Sequence, residues 1–170
     1  GMALGLPNTK QALDRLNLHF DNTHIFHIAG SNGKGTTCAI LAASLQLSDR
    51  STVLFSSPHV SRIEERIRVN GRPIASELFD SALAEVMQIS QEDPKIDLTF
   101  FEITYLCAMV TASSHNVDVL ILETGLGGRL DATRTAPADT CIITSISVEH
   151  TDILGDDICK IAREKVAIAR

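Results

Sequence analysis

The chain has 170 residues, a formal net charge of −6, four cysteines and no tryptophan. A chain of this length suits one compact core rather than two. No apolar run is long enough to span a membrane, and no basic region followed by an apolar stretch opens the chain, so we expect neither membrane insertion nor export. The negative charge argues against non-specific binding to nucleic acid, whereas binding a nucleotide needs only local positive charge.

The cysteines are far apart in the sequence and lack the paired spacing of a metal site: Cys38, Cys107, Cys141 and Cys159. Most of them stand in apolar segments, which favours buried, reduced thiols. Reduced thiols are typical of the cytoplasm, and we therefore expect a cytoplasmic protein.

Helical and strand patterns alternate in the first third of the chain. Apolar residues at partly helical spacing predict an amphipathic helix over 8–17. A short apolar, β-branched run predicts a strand over 24–29, and a stretch rich in alanine and leucine predicts a largely buried helix over 35–47. A second strand is predicted over 51–56.

A glycine-rich turn separates the first strand from the helix that follows it. It contains Gly30, Ser31, Asn32, Gly33, Lys34, Gly35, Thr36 and Thr37. Glycines let successive backbone N–H groups converge on one anion, and a helix N-terminus adds partial positive charge. Lys34 would add a full charge at the β- and γ-phosphates of a nucleotide, and Thr36 or Thr37 a hydroxyl at Mg²⁺. Because only two residues separate Gly30 from Gly33, where the usual P-loop has four, a tight turn with an exposed lysine is the alternative.

A long excursion follows the second strand. Charged and apolar residues alternate over 61–74, and Asn70-Gly71 predicts a type I′ hairpin turn. Long ordered excursions in α/β proteins often carry binding loops. Beyond it the patterns predict two helices and two buried strands, over 77–89, 100–114, 117–123 and 140–146.

The alternation of helices and apolar strands indicates an α/β fold with a mostly parallel sheet. Ligands of such folds bind beyond the carboxyl ends of the strands, where this chain places the glycine-rich turn, Ser57, Glu123 and His150. Their hydroxyl, carboxylate and imidazole groups could hold Mg²⁺ on a nucleotide. Each also has a structural alternative: Ser57 as a turn residue before Pro58, Glu123 as a solvated loop carboxylate, and His150 as a surface histidine. Thr99 and Glu102 stand at the spacing of a capping box.

Several segments together resemble one family. The turn from Gly30 to Thr37 resembles the Gly-Thr-Asn-Gly-Lys-Gly-Ser/Thr loop of the Mur ligase superfamily. The other matching segments occur in the order found in the bifunctional dihydrofolate synthase/folylpolyglutamate synthase family: Ser56-Ser57-Pro58-His59 with Glu65-Arg66-Ile67, Thr99-Phe100-Phe101-Glu102, Leu122 to Thr133, and Glu149 to Gly155 with Arg163-Glu164-Lys165. The resemblance covers nearly the whole chain from Leu4 onward.

This resemblance implies a three-layer α/β/α, P-loop NTPase-like domain of the Mur ligase central-domain type. It implies an ATP-dependent ligase that joins L-glutamate to dihydropteroate or to a folate γ-carboxylate. The γ-phosphoryl group of ATP would convert the carboxylate into an acyl phosphate, which the amine attacks with release of ADP and phosphate. Phosphoryl transfer between two anions depends on positive charge and accurate placement. A stand-alone P-loop nucleotide-binding module without ligase activity is the alternative.

The resemblance also assigns roles by matching position. Residues 31–36 would bind the ATP phosphates, Ser57 and Glu123 one Mg²⁺, and Glu123 with His150 a second. Lys34, His150 and Lys165 would act in catalysis, and Lys165 matches a family lysine that is carbamylated, which turns a cation into an anion. The positions that match residues near the pterin substrate are Thr99, Phe100, Phe101, Glu102, Leu130, Asp131 and Ala132.

The chain departs from the family pattern in three short segments and in length. Ala3 stands in place of an aspartate, Arg134 in place of an asparagine, and Lys165-Val166-Ala167-Ile168 in place of Lys-Ala-Gly-Ile. Family members are more than twice as long, so we expect residues 1–170 to be the N-terminal portion of the ATP-binding domain, without the C-terminal glutamate-ligase domain. We expect such a portion to be inactive alone and, with a free sheet edge, to self-associate, and the full-length form to be a monomer.

Overall fold

The secondary structure follows the predicted order of elements. A computed structural model describes residues 6–149 and 156–169. In chain order the elements are α1 (Pro7–Leu16), β1 (His24–Ala29), α2 (Lys34–Gln46), β2 (Thr52–Phe55), β3 (Ile67–Val69), β4 (Arg72–Pro73), α3 (Ser76–Gln91), α4 (Phe100–Ser114), β5 (Val119–Glu123), β6 (Thr140–Ile143) and α5 (Ile158–Val166), with 3₁₀ helices at Ile63–Arg66 and Ala132–Thr135. The predicted elements are confirmed to within a few residues, and the strand predicted over 140–146 ends earlier, at Ile143.

One six-stranded sheet has the order β4-β3-β2-β5-β1-β6. Strands β2, β5, β1 and β6 run parallel, whereas β3 and β4 form an antiparallel hairpin at one edge. At the hairpin tip Asn70 and Gly71 have φ angles of 47° and 77°, as the predicted type I′ turn requires. The predicted α/β class with a mostly parallel sheet is therefore confirmed.

The carboxyl ends of the parallel strands lie level with one another. Ile28 of β1 pairs with Glu123 of β5 on one side and with Ile142 of β6 on the other. Phe55 of β2 pairs with Leu122 of β5. Because the strands end at the same height, the loops that follow them begin at one common edge of the sheet.

Helices cover both faces of the sheet. Side chains of a strand alternate between the two faces, so each strand contributes to two cores. The larger core lies under α1, α3 and α4 and takes Ile25, Val53, Phe55, Leu120 and Leu122 from the strands. The smaller core lies under α2 and takes Ile28, Leu54, Val119 and Ile121 from the strands. The result is a three-layer α/β/α arrangement.

Helix α2 is less buried than its composition suggested. Its buried residues are Cys38 and Ala42, whereas Ile40 is 62% exposed. In the described part of the chain, the core on this face receives helical side chains from α2 alone. The predicted burial of most of this helix is wrong, because apolar residues around a whole helix become buried only where partners cover every side. Among the helices that the structure describes, none is long and apolar enough to cross a membrane.

The four thiols differ in their exposure. Cys38 and Cys107 are buried, Cys141 is half-buried and Cys159 is exposed. Burial raises the pKa of the Cys38 and Cys107 thiols to about 12. The predicted buried thiols are therefore confirmed for Cys38 and Cys107, and the prediction is wrong for Cys159.

We expect Ellman's reagent at pH 8 to label Cys159 well before the two buried thiols. The thiolate is the reacting form, and both burial and a raised pKa suppress it at Cys38 and Cys107. The rate of colour release in folded protein measures the effect, and a Cys159→Ser variant should lose the fast phase. Fast labelling of Cys38 in that folded variant would contradict the prediction.

Candidate functional site

The loop between β1 and α2 presents free backbone amides. Gly33 is the N-cap residue of α2, and the first described hydrogen bond of the helix runs from Thr37 N–H to Gly33 O (2.9 Å). Within the described part of the chain, the N–H groups of Lys34, Gly35 and Thr36 donate to no acceptor. First-turn amides have no partner inside their own helix, and together with the helix dipole they attract anions. The loop is therefore built to hold an anion.

Contacts with the segment after β6 fix the shape of this loop. Gly30 has a φ of 154°, and a Cβ atom there would lie 1.9 Å from Thr144 Oγ1, so the position accepts glycine alone. Ser31 N–H donates to Ser145 O (2.8 Å), and Asn32 N–H donates to Ser145 Oγ (2.9 Å). These bonds hold the loop in place before any ligand arrives.

The two lysines of the predicted site meet at one carbonyl of this loop. Lys34 Nζ donates to Gly30 O (2.9 Å) and more weakly to Ser31 O (3.4 Å). Lys165 of α5 is 1% exposed, and its Nζ donates to the same Gly30 O (3.1 Å). Two positive charges therefore lie beside the loop that presents the free amides.

A buried ion pair neutralises one of these lysines. Lys165 Nζ lies 2.6 Å from Glu149 Oε1. Burial alone would raise the pKa of Glu149, but the hydrogen bond and the charge of Lys165 outweigh that effect and hold the pKa below its usual value. Sequence reasoning placed Lys165 at the site and missed Glu149 as its partner, although Glu149 directly precedes His150, which lies outside the described residues.

A buried carboxylate stands next to the loop between β1 and α2, which we call the phosphate loop after its predicted role. Glu123 ends β5, is 5% exposed, and accepts a hydrogen bond at Oε2 from Ser57 N–H (3.3 Å). A Cβ atom built on Gly35 would lie 3.5 Å from Glu123 Oε1. Burial raises the pKa of Glu123, opposed by the bond from Ser57 and the charge of Lys34. The interpretation of Glu123 as a solvated loop carboxylate is wrong, and Ser57, Glu123 and the phosphate loop meet as predicted.

The carboxylate oxygens of Glu123 suit a hard cation. Within the described part of the chain no donor reaches its Oε1 atom. An anionic oxygen that no protein donor occupies is open to a ligand, and oxygen ligands are those that Mg²⁺ prefers. No three His, Cys, Asp or Glu side chains gather into a metal site among the described residues, a set that does not include His150.

The predicted capping box at the start of α4 is confirmed. Thr99 N–H donates to Glu102 Oε2 (2.8 Å), and Glu102 N–H donates to Thr99 Oγ1 (3.3 Å). Glu102 Oε1 also accepts a hydrogen bond from Thr9 Oγ1 (2.6 Å). Both carboxylate oxygens are thus used inside the protein, where they fix the start of α4 against α1.

Two of the other predicted substrate positions, Phe101 and Asp131, lie at the glycine-rich loop after β5. Asp131 Oδ2 accepts from the N–H groups of Gly125 and Leu126 (2.9 Å each), and Oδ1 accepts from Thr133 N–H (3.0 Å). The Phe101 ring lies against the same loop, since a Cβ atom on Gly125 would come within 2.6 Å of it. Phe101 and Asp131 therefore meet as a unit, whereas Phe100 is exposed, Leu130 half-buried and Ala132 buried.

One departure from the family pattern has a visible role. Arg134 Nε donates to Ala167 O (2.7 Å), just beyond the end of α5. Arg129 Nε also pairs with Glu164 Oε1 of α5 (2.7 Å). These two arginines tie α5, and with it Lys165, to the loop after β5. Ala3 lies outside the described residues.

Comparisons with known proteins find relatives that match this chain in sequence and in fold. The dihydrofolate synthase/folylpolyglutamate synthase of Escherichia coli (strain K12) is 40% identical over 167 residues, which are 98% of this chain and 39% of that protein. A solved structure of Escherichia coli FolC in complex with DHPP and ADP matches with a TM-score of 0.93 at 39% identity, over 99% of this chain and 40% of that one. A Yersinia pestis bifunctional folylpolyglutamate synthase/dihydrofolate synthase complexed with AMPPNP and a Mn ion matches with a TM-score of 0.90 at 40% identity, over 99% and 40% of the two chains.

The chain spans about two fifths of the length of these relatives. The family profile of the Mur ligase middle domain matches residues 28–170, which is well over half of the chain. The matched region contains the phosphate loop, the buried carboxylate and the buried lysine described above, on the mostly parallel sheet that the resemblance implied. By sequence and fold, the chain belongs to the Mur ligase middle-domain family.

Proposed function

We propose that this protein is an ATP-dependent, ADP-forming ligase of folate biosynthesis that joins L-glutamate to dihydropteroate and to folate γ-carboxylates. One observation carries the proposal: the free first-turn amides of α2, the buried carboxylate of Glu123 and the buried ammonium of Lys165 lie at one edge of the sheet. The names of the relatives and the DHPP, ADP and AMPPNP in their structures support it.

The phosphates of ATP would lie on the amides of Lys34, Gly35 and Thr36, with the Lys34 ammonium beside them. Ser57 and Glu123 are the described residues that fit a divalent cation, and His150 is the proposed further ligand at a second cation. Bound Mg²⁺ supplies charge neutralisation on the transferred phosphoryl group. The manganese in the Yersinia pestis structure supports a divalent cation at the site.

The reaction proceeds in two steps. The carboxylate oxygen of the acid substrate attacks the γ-phosphorus of ATP, the bond from that phosphorus to the ADP oxygen breaks, and an acyl phosphate forms. The glutamate amine then attacks the carbonyl carbon, loses its proton, and displaces inorganic phosphate. A carboxylate reacts with an amine only after one oxygen has become a leaving group. Phe101 and Asp131, at the glycine-rich loop, are the proposed contacts for the pterin side of the acid substrate, together with the other predicted substrate positions.

Carbamylation of Lys165 is part of the proposal. The described state is an ammonium paired with Glu149 at 2.6 Å. An ammonium has no lone pair to attack CO₂, so the carbamate forms only after Lys165 loses its proton and leaves Glu149. The product would be an anion beside the phosphate loop, and a cation would have to balance it.

The proposed substrates are small molecules, and we propose that the full-length form of the protein is a cytoplasmic monomer. We propose that residues 1–170 alone are inactive and self-associate. None of the described site residues is assigned to hold the glutamate amine, and orientation of two reactants accounts for roughly 7–11 kcal/mol of a barrier. A free edge of β6 in the described part of the sheet supports self-association.

The test is a ligation assay with dihydropteroate, L-glutamate and Mg·ATP, read by mass spectrometry of dihydrofolate and ADP. It is run on this chain and on the complete protein that the gene encodes. We expect glutamate-dependent formation of both products by the complete protein and of neither by this chain. Binding of ATP without any product from the complete protein would favour the nucleotide-binding module instead.

Substitution of Glu123 by glutamine should weaken Mg²⁺-dependent nucleotide binding by roughly tenfold or more and leave metal-free binding nearly unchanged. A cation prefers an anionic oxygen, and the amide offers a neutral one. Calorimetric titration of ADP with and without Mg²⁺ measures the difference. Asp118→Asn is a matched control, because Asp118 precedes the opposite end of β5. Equal losses with and without Mg²⁺ would contradict the prediction.

A further inference from the structure

Arg66 is a buried arginine to which no carboxylate of the described residues is paired. It ends the 3₁₀ helix Ile63–Arg66 and is 8% exposed. Its Nε donates to His59 Nδ1 (2.9 Å), and within the described part of the chain no carboxylate forms an ion pair with it. Taking a charged group out of water is costly unless an opposite charge and hydrogen bonds compensate. The bond to His59 and the nearby Phe100 ring meet part of that cost, and the terminal nitrogens of Arg66 keep contact with solvent, through which an anion can reach them.

The carboxylates nearest to Arg66 in the sequence are engaged elsewhere. Glu65 accepts hydrogen bonds from the N–H groups of Val60, Ser61 and Arg62, which fixes the loop before the hairpin. Glu64 pairs with the Arg62 guanidinium at 2.9 Å. The loop therefore holds two acidic side chains close to Arg66 in sequence and uses neither to neutralise it.

The guanidinium group presents a set of free donors next to an aromatic ring. Its carbon Cζ lies 5.0 Å from the centre of the Phe100 ring, and that ring lies 6.4 Å from the His59 ring. No acceptor within the described chain reaches the two terminal nitrogens of Arg66. Because His59 Nδ1 accepts the bond from Arg66, the proton of a neutral His59 stands on Nε2 and is a further donor. A planar fork of donors matches a carboxylate in both shape and charge.

This cluster adjoins both parts of the proposed site along the chain. His59 is two residues beyond Ser57, whose N–H donates to Glu123 at the proposed cation position. Phe100 directly precedes Phe101, whose ring packs on Gly125 at the proposed pterin position. Phe100 is 53% exposed, so its ring is open to a ligand.

We propose that Arg66, with His59 and Phe100, binds a carboxylate of the acid substrate, and that the adjoining aromatic ring of that substrate stacks on Phe100. The inference rests on the proposed function, since it assigns a specificity residue for the same reaction. Two carboxylates have this chemistry: the benzoate carboxylate of dihydropteroate, which reacts, and the α-carboxylate of a folate, which does not. Arg66 pairs with one of them through its two terminal nitrogens.

The test pairs each acid with its ester. Dihydropteroate is compared with its methyl ester, and dihydrofolate with its α-methyl ester, in NMR titrations of the protein with Mg·ADP present. We expect esterification of the bound carboxylate to weaken binding to the unaltered protein by about tenfold or more. Arg66→Met should weaken binding of the acid by a similar factor and leave binding of the ester unchanged. In Arg66→Met one of the two acids should lose its stronger binding relative to its ester. That acid identifies which carboxylate Arg66 holds.

Arg72→Met is the matched control, because Arg72 is exposed on β4 of the same hairpin and the charge change is the same. It should keep the full preference for acid over ester. If Arg66→Met fails to fold, the Nε–H signal of Arg66 in the unaltered protein gives the answer, since it should shift with the acid and not with the ester. An undiminished preference for the acid in Arg66→Met, or no shift of that signal, overturns the inference. Failure of every acid and ester to bind the unaltered protein overturns the proposed function as well.

Discussion

Replacing Lys34 by alanine is expected to lower ATP turnover in the complete protein by about a hundred- to a thousandfold while the fold persists. Donors and charges that are already in place where negative charge develops contribute on that scale when one is removed. In the proposed function Lys34 is such a group, because its Nζ is held by Gly30 O (2.9 Å) at the loop that presents the free amides. Turnover is measured as glutamate-dependent ADP release.

The structure predicts that this loss is one of activity and not of stability. Lys34 is half-buried, and its described hydrogen bonds are to backbone carbonyls of its own loop. The melting temperature of Lys34→Ala should therefore stay close to that of the unaltered protein. Lys10→Ala removes the same charge from the exposed face of α1 and should leave both turnover and melting unchanged. Unchanged turnover in Lys34→Ala would remove this lysine from the site.

Much of the fold could be predicted because its strands are short runs of apolar residues between turn signals. Residues 24–29 and 117–123 show this pattern, and the structure has strands at His24–Ala29 and Val119–Glu123. The pairing order could not be predicted, since β5 enters between β1 and β2 from a distant part of the chain. Helix α2 shows the same limit, because its composition does not reveal how many partners cover it.

For the candidate site too, the sequence indicated the residues that depend on local contacts and missed those that depend on distant ones. The phosphate loop, Glu123 and the Thr99–Glu102 capping box depend on contacts between near neighbours or on strand ends, which the sequence pattern indicates. Glu149 was missed because its contact with Lys165 depends on how α5 packs back against the loops. Arg66 lies in the matching segment Glu65-Arg66-Ile67, but its burial was not predicted because it stands in a run of alternating charged and apolar residues. Such a run usually indicates a solvated face, whereas the short 3₁₀ helix turns Arg66 inward.

The buried pair of Lys165 and Glu149 gives the largest expected change in stability. Glu149→Gln should lower the free energy of unfolding by about 3 kcal/mol, because it leaves a buried ammonium without its counter-charge. That is a large share of the roughly 5–15 kcal/mol typical of a folded domain. A matched comparison is available on α5, where Glu164 pairs with Arg129 at 2.7 Å and Arg129 is 52% exposed. Glu164→Gln should cost less than about 1 kcal/mol, since water screens that pair.

Denaturant unfolding of both variants, in buffers with and without bicarbonate, also tests the charge of Lys165. In the ammonium form Lys165 and Glu149 attract each other at 2.6 Å, so Glu149→Gln destabilises the protein. In the carbamate form the same two groups would both be anions, and Glu149→Gln would relieve repulsion and stabilise it. We expect destabilisation without bicarbonate and a smaller loss with it, together with a mass increase of one CO₂ in the unaltered protein under native conditions. Equal, small effects of Glu149→Gln and Glu164→Gln in both buffers would show that the buried pair does not contribute to stability.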